Sequence, residues 1–328
     1  MREVLQTLHN HRVLSREEAK NVLTQISKGE LNNSQIASFL TIFLMRKITI
    51  EELAGFRDAL LELSIPVDLT EYDPIDLCGT GGDGKNTFNI STLASFVVAG
   101  SGVKVAKHGN YGVSSTSGSS NVIEKLGFSF TNDIYKIKSQ IETANICFLH
   151  APLFHPAMKL VAPIRKELGV KTFFNMLGPM VNPSKPKKQI IGVYSLELLR
   201  LYKYLYQQTD KDYSIIYSLD GYDEISLTSD FRIVSNNEDR LMTPEDYDFQ
   251  KLKQEQLFGG NTVEESTKIF LKIISGDGSK AQNNAVIANA ATAIKVATGN
   301  SLEDSISLAS QSLKSGKAYE SLKQLLTI

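Results

Sequence analysis

Apolar side chains recur with two different spacings along this chain, and the change falls near residue 66. Before it the spacing is helical: Ile36, Phe39, Leu40, Phe43 and Leu44 follow the 3.6-residue repeat of one apolar face. Ser15 with Glu18, and Thr49 with Glu52, fit the capping box, in which side chain and backbone satisfy each other's donors at a helix start. A small helical domain is expected over residues 1–66. Pro66 and the acidic stretch 68–73 interrupt that pattern. From Ile75 onward, short apolar runs alternate with longer amphipathic segments, which predicts an α/β domain over 67–328 with a central sheet flanked by helices. The strand candidates are 75–78, 103–106, 146–149, 190–194 and 214–217, rich in β-branched or aromatic residues. The Ala-rich stretch from 283 to 297 onward is helical in period.

Composition narrows the class. With 42% hydrophobic and 22% charged residues over 328 positions, the chain has the make-up of a folded protein needing no staple. A net charge of −1 gives no global field for nucleic acid or an anionic membrane, so any grip on phosphate must be local. Cys78 and Cys147 each sit at the edge of an apolar run and read as buried reduced thiols, which points to the cytoplasm. The charged amphipathic N-terminus and the lack of an apolar run of about 18 residues predict neither a signal peptide nor a membrane span.

Candidate chemistry gathers after the strands, where ligands bind in open α/β sheets. The first is followed by Gly79, Thr80, Gly81, Gly82, Asp83, Gly84, Lys85, Asn86 and Thr87. This imitates two phosphate loops and fits neither. The next strand leads to Lys107 rather than to the acid of a dinucleotide fold, and Asn86 stands where a P-loop needs Ser or Thr. Glycines still let N–H groups approach an anion, and Asp83 beside a diphosphate calls for a metal or a substrate hydroxyl. A plain tight turn is the alternative. Asn89, Ile90, Ser91 and Thr92 precede the apolar helix 93–99, an anion site or an ordinary N-cap. After the second strand come Lys107, His108, Gly109 and Asn110, then the hydroxyls of Ser114, Ser115, Thr116 and Ser119. Two cradles at successive strand ends suit a ligand with phosphate at both ends, against the alternative of a Ser/Gly linker.

Together these motifs resemble the anthranilate phosphoribosyltransferase family, whose G-T-G-G-D, N-x-S-T, K-H-G-N and S-G-S elements occur here in order. The likeness extends over nearly the whole chain. It includes His155, Arg165, Phe174 with Asn175, Leu177 with Gly178 and Pro179, the acidic run from Asp220 to Ser226, and the helix from Asn283. The resemblance implies a nucleoside phosphorylase/phosphoribosyltransferase-like fold, part of 160–185 joining the helical domain, a hinge, and a homodimer formed through the helical domain. It implies phosphoribosyl diphosphate at Gly79, Gly82, Asp83, Thr87, Asn89, Ile90, Ser91, Thr92, Lys107, His108, Gly109, Asn110, Ser114, Ser115 and Ser119. Anthranilate is implied at Gly79, Asn110, His155 and Arg165, and Mg2+ at Ser91, Asp223 and Glu224. Tyr111, Thr116, Asn121 and His150 depart from the family pattern.

The implied reaction displaces diphosphate at the anomeric carbon of ribose through an oxocarbenium-like transition state, so leaving-group charge is the main problem. An aromatic amine needs little activation, so positioning is expected to dominate and no catalytic base is assigned. Arg165 suits a bidentate clamp on the anthranilate carboxylate, although alone it reads as a surface helix charge. Two other readings stay open on the residues. A pyrimidine nucleoside phosphorylase would carry K-H-S where Lys107, His108 and Gly109 stand, and a non-enzymatic nucleic-acid binder would need a basic face.

Overall fold

The computed structural model describes residues 1–112 and 117–328. Ser114, Ser115 and Thr116 therefore lie outside the described residues. The chain opens with α1 (Arg2–His9), α2 (Arg16–Ser27), α3 (Asn33–Met45) and α4 (Ile50–Glu62). It continues through β1 (Ile75–Gly79), α5 (Ile90–Gly100), β2 (Val105–Gly109), α6 (Ser119–Lys125), α7 (Ile134–Ala144) and β3 (Ile146–His150). Three short helices follow: α8 (Ala151–Phe154), α9 (Val161–Leu168) and α10 (Phe174–Leu177). Then come β4 (Lys188–Gly192), α11 (Leu196–Tyr206), β5 (Asp212–Ser218), β6 (Phe231–Ser235) and β7 (Asp239–Met242). The chain ends with α12 (Val263–Ile274), α13 (Lys280–Thr298), α14 (Leu302–Lys314) and α15 (Lys317–Leu326). Two compact units result, residues 1–66 with 151–183, and residues 67–150 with 184–328.

In the helical unit, capping boxes start α2 at Ser15, α3 at Asn32 and α4 at Thr49. Glu52 of the last box is fully buried. Burial pushes its carboxyl up, but Arg46 and the N–H groups of Leu14 and Thr49 outweigh this and hold it below the usual range. The unit's core is aromatic. Phe173 stacks on Phe56 at 4.3 Å and meets Phe43 and Phe39 edge-on at 5.1 and 6.2 Å, which ties the 151–183 segment to the N-terminal helices. Of the face predicted for α3, Ile36, Phe39, Leu40 and Phe43 are buried, whereas Leu44 is 45% exposed. It sits about 100° around the helix from Phe43, at the rim of the stripe.

The other unit is built on a seven-stranded sheet of order β3-β2-β1-β4-β5-β6-β7. The first five strands are parallel, and β6 and β7 join as antiparallel neighbours. From β1 the chain steps outward to β2 and β3, then returns to the opposite side of β1 as β4. That reversal is a topological switch point, where the carboxyl ends of neighbouring strands open a crevice. Helix α5 is buried along almost its whole length and packs on α13 and α15. Among the described residues, no helix is long and apolar enough to cross a membrane.

Several predicted boundaries shift. The strand expected at 103–106 is β2, which begins at Val105 and carries Lys107 and His108 buried inside the sheet. The run expected at 190–194 pairs as β4 from Lys188 to Gly192. Strands β6 and β7 were not predicted. Their exposed face carries Arg232 and Asp239, an ion pair at 2.6 Å, rather than a clean apolar alternation.

Candidate active site

Strands β1 and β4 end level with one another, Gly79 opposite Gly192, and Thr80 N–H donates to Gly192 O at 2.9 Å. The turn that follows β5 lies over this switch point. A Cβ on Gly192 would sit 1.5 Å from Asp223 O, and one on Gly79 would sit 2.4 Å from Asp223 Oδ2, so the acidic turn packs directly on two bare backbones. Asp223 Oδ2 accepts from Gly81 N–H at 2.7 Å. Glu224 Oε1 accepts from Ser91 N–H at 2.9 Å, at the amino end of α5, where donors lack intrahelical partners and negative charge is favoured. The pair is held from behind as well. Ser218 Oγ donates to Glu224 O at 2.6 Å, and Asn289 of α13 brackets Ile225, accepting from its N–H at 3.0 Å and donating to its carbonyl at 2.9 Å.

Burial, then the charge of Asp83, pushes the Asp223 carboxyl up to about 7, against the pull of the Gly81 N–H. Glu224 is raised by burial and then by Asp223, with the Ser91 N–H and Lys107 acting the other way. Gly79, Ser91, Asp223, Glu224 and Asn289 line one small pocket. Among the described residues no three metal-ligating side chains converge. Two carboxylates short of positive charge nevertheless fit Mg2+, a hard cation that is commonly held by one or two carboxylates while a substrate's phosphates complete its shell.

The glycine loop turns through positive φ at Gly81, Gly82 and Gly84. Asp83 Oδ1 accepts from Lys85 N–H at 3.0 Å, and the Lys85 ammonium lies 4.7 Å from the Tyr222 ring centre. A segment not singled out in the sequence pins the loop. Thr87 bridges to Phe258, Phe88 N–H donates to Leu257 O at 3.1 Å, and Asn86 Nδ2 donates to Gly260 O at 2.9 Å. Asn89 precedes α5 but makes no side-chain cap; its Nδ2 donates to Ser117 O at 3.1 Å. The Ile90 side chain is wholly buried in the core, so only its backbone remains for a ligand, and Thr92 is buried too. Ordinary capping therefore does not account for this segment.

In the second cradle, Lys107 and His108 are buried, and Lys107 Nζ donates to Leu77 O at 2.7 Å. Gly109 lies against Ser119, whose Oγ donates to Asn110 O at 3.3 Å. Two departures from the family pattern touch each other. Tyr111 meets the His150 ring edge-on at 4.8 Å, while Phe130 stacks on His150 at 4.4 Å and Ser120 Oγ lies 2.9 Å from its Nδ1. A third, Asn121, accepts from both Gly112 N–H and Gly118 N–H through Oδ1, at 2.9 and 3.0 Å.

His155 and Arg165 belong to the helical unit. His155 is buried, and burial lowers its imidazole to about 4 against the backbone groups of Val181 and Leu60. Arg165 is half-buried, with Nη2 donating to Asn175 Oδ1 at 3.1 Å and the guanidinium 5.2 Å from the Phe174 ring centre. Burial lowers its pKa as well.

A helical bundle and a mixed sheet in one chain, with an acidic pair over the sheet's switch point, define a class. The helical bundle domain of the glycosyl transferase family matches residues 2–64, and that family's a/b domain matches residues 71–319. The anthranilate phosphoribosyltransferase of Flavobacterium johnsoniae is 61% identical over 99% of this chain and 98% of its own, and that of Bacteroides fragilis (strain ATCC 25285) is 52% identical over 100% and 99%. Among solved structures, the enzyme of Thermus thermophilus superposes with a TM-score of 0.91 at 33% identity, covering 98% of each chain. That of Saccharomyces cerevisiae, in complex with PRPP and Mg, gives 0.87 at 29%, covering 98% and 96%. The chain belongs to the anthranilate phosphoribosyltransferase family, enzymes that move the phosphoribosyl group of 5-phosphoribosyl 1-diphosphate to the amine of anthranilate in tryptophan biosynthesis. Membership decides among the readings that the residues alone left open.

Proposed function

We propose that the family's reaction is carried out here at the β1/β4 switch point, with the donor diphosphate on the glycine loop and the amino end of α5. The observation that carries this reading is the pair Asp223 and Glu224, buried or half-buried and already bonded to the N–H groups of Gly81 and Ser91. Mg2+ would be held by these two carboxylates with Ser91, where it supplies neutralisation of diphosphate charge. Gly79, Gly82, Asp83, Thr87, Asn89 and the backbone of Ile90 line the donor on one side. Lys107, Asn110 and Ser119 hold its other end. Loop N–H groups bind and orient the anion, and the helix end favours its charge. Anthranilate is assigned to Gly79, Asn110, His155 and Arg165, with the guanidinium fixing its carboxylate. A neutral His155 serves as a wall of this site rather than as a base. Attack by the amine then rests on positioning.

The two compact units are read as domains joined by a hinge. A homodimer through the helical domain is supported by Met45, 85% exposed, beside Leu44 on α3. Two free cysteines support a cytoplasmic location. Anthranilate fluorescence tests the central reading. The signal should fall only when phosphoribosyl diphosphate and Mg2+ are both present, and Asp223→Asn/Glu224→Gln should abolish the fall. Unchanged activity in that double variant would remove the acidic pair from the site.

A further inference from the structure

Between β1 and β2 the ladder changes character beyond its first pair. Ile75 is registered with Val105, and Ile75 N–H donates to Lys104 O at 3.0 Å. A regular parallel continuation would pair Leu77 with Lys107 and bring His108 N–H to Leu77 O. Here Lys107 Nζ donates to Leu77 O at 2.7 Å, and His108 N–H donates to Asp76 Oδ1 at 3.2 Å. Two charged side chains stand at the places of ladder bonds. On the other edge of β1 the pairing with β4 is regular over five residues, and Asp76 faces Gln189 across it. Gln189 Nε2 donates to Asp76 Oδ2 at 3.3 Å, and the Tyr206 hydroxyl of α11 donates to Gln189 Oε1 at 2.7 Å. That hydroxyl fixes which way the amide points.

All four polar side chains are buried, Asp76 at 0% and Lys107 at 2% exposure. A buried charge pair is often no more stable than apolar residues of the same volume, so stability alone does not explain an acid and an ammonium inside a sheet. Their location does. The ends of β1 and β2 run on into the two cradles, at Gly79 and at Gly109 with Asn110. We propose that Asp76 is a positioning residue for the donor site: turned by Gln189 and Tyr206, its carboxylate holds the end of β2 through the His108 N–H and so sets the neighbouring Lys107 ammonium in place to receive phosphate. The bond to Leu77 O uses one of three ammonium protons. Burial pulls the Lys107 pKa down, and the carboxylates of Asp76 and Glu224 oppose it. The proposal rests on the reading that the loops after β1 and β2 bind the donor.

The test is steady-state kinetics on Asp76→Asn, Tyr206→Phe, Lys107→Met and the double variant Asp76→Asn/Lys107→Met, with each substrate varied in turn. Asp76→Asn should raise the donor KM about tenfold, the scale of one lost bond to a charged group, and Tyr206→Phe, which loses a neutral bond, about fivefold; each should leave the anthranilate KM within about twofold. Lys107→Met should raise the donor KM at least as much. Adding Asp76→Asn to it should cost nothing further, because both act through one ammonium. A lower melting temperature with an unchanged donor KM in Asp76→Asn and Tyr206→Phe would overturn the proposal, as would additive effects in the double variant. Should Asp76→Asn fail to fold, Tyr206→Phe, which loses only a hydroxyl, carries the test. If Lys107→Met itself leaves the donor KM unchanged, the donor-site reading falls, and the proposal with it.

Discussion

Replacing Gly192 by alanine puts a methyl group where the acidic turn already lies. The added carbon would be 1.5 Å from Asp223 O and 2.5 Å from its carbonyl carbon, both backbone atoms that no rotamer change can move. Restoring ordinary contact, beyond 3.4 Å, requires the turn or the end of β4 to give way by about 2 Å. The Gly81 N–H to Asp223 bond, now 2.7 Å, and the Ser91 N–H to Glu224 bond, now 2.9 Å, do not survive such a shift. Each charge-assisted bond contributes about 1.5–3 kcal/mol, and a misplacement of about 1 Å at a reacting centre costs about a hundredfold in rate. Gly192→Ala should therefore lower kcat/KM at least about a hundredfold, read as the initial fall of anthranilate fluorescence with phosphoribosyl diphosphate and Mg2+, while circular dichroism stays close to wild type. Gly79→Ala offers an internal comparison. Its Cβ meets the Asp223 carboxylate first, at 2.4 Å, and a carboxylate can rotate. It should do less harm. Wild-type activity in Gly192→Ala, or greater loss in Gly79→Ala, would refute the packing argument.

Three further outcomes are expected. Arg165→Ala should raise the anthranilate KM far more than the donor KM; equal effects would remove Arg165 from the acceptor site. His155 titrates near 4 when folded against an ordinary 6.5, so its contribution is complete above pH 6.5 and is lost as pH falls toward 4. By linkage this amounts to about 2 kcal/mol at pH 5, and His155→Gln should show a correspondingly smaller drop in denaturant stability between pH 7 and pH 5. Burial pushes the Cys78 thiol up to about 12 and the Cys147 thiol higher still, so at pH 8 neither should react with a thiol reagent until the protein is unfolded. Cys147 is buried and Cys78 half-buried, and fast labelling of either in the native protein would contradict the expectation.

Much of the fold was legible because its signals are local. A capping box spans four residues, and Ser15 and Thr49 announced α2 and α4. The five parallel strands were visible as short apolar runs, but their ends were not. Lys107 and His108 look like loop residues until Asp76 and Leu77 O are known to receive them inside the sheet. The loops, the start of α5 and the acidic pair stood out by residue type. What held them did not, because Gly192, Asn289 and the segment 257–260 act from a distance. Asn289, inside an Ala-rich helix, carries no local mark of its hold on Ile225. Ile90 sits between polar neighbours, and its sequence position gave no sign that its side chain faces the core and leaves only its backbone toward the loop.

The stacking of Phe173 on Phe56 has a consequence for synthesis. Helices α1 to α4 leave the ribosome first, yet their aromatic core is completed only by residues that follow three strands of the sheet. At about 5–20 residues per second, on the order of ten seconds separates Pro66 from Pro183. During that interval the nascent chain presents Phe39, Phe43 and Phe56 without their capping ring, while β1, β2 and β3 emerge without β4. Translation to residue 183 thus completes the core of the helical unit, while the sheet unit, begun earlier, must wait for α13 and α15 near the far end of the chain to pack on α5.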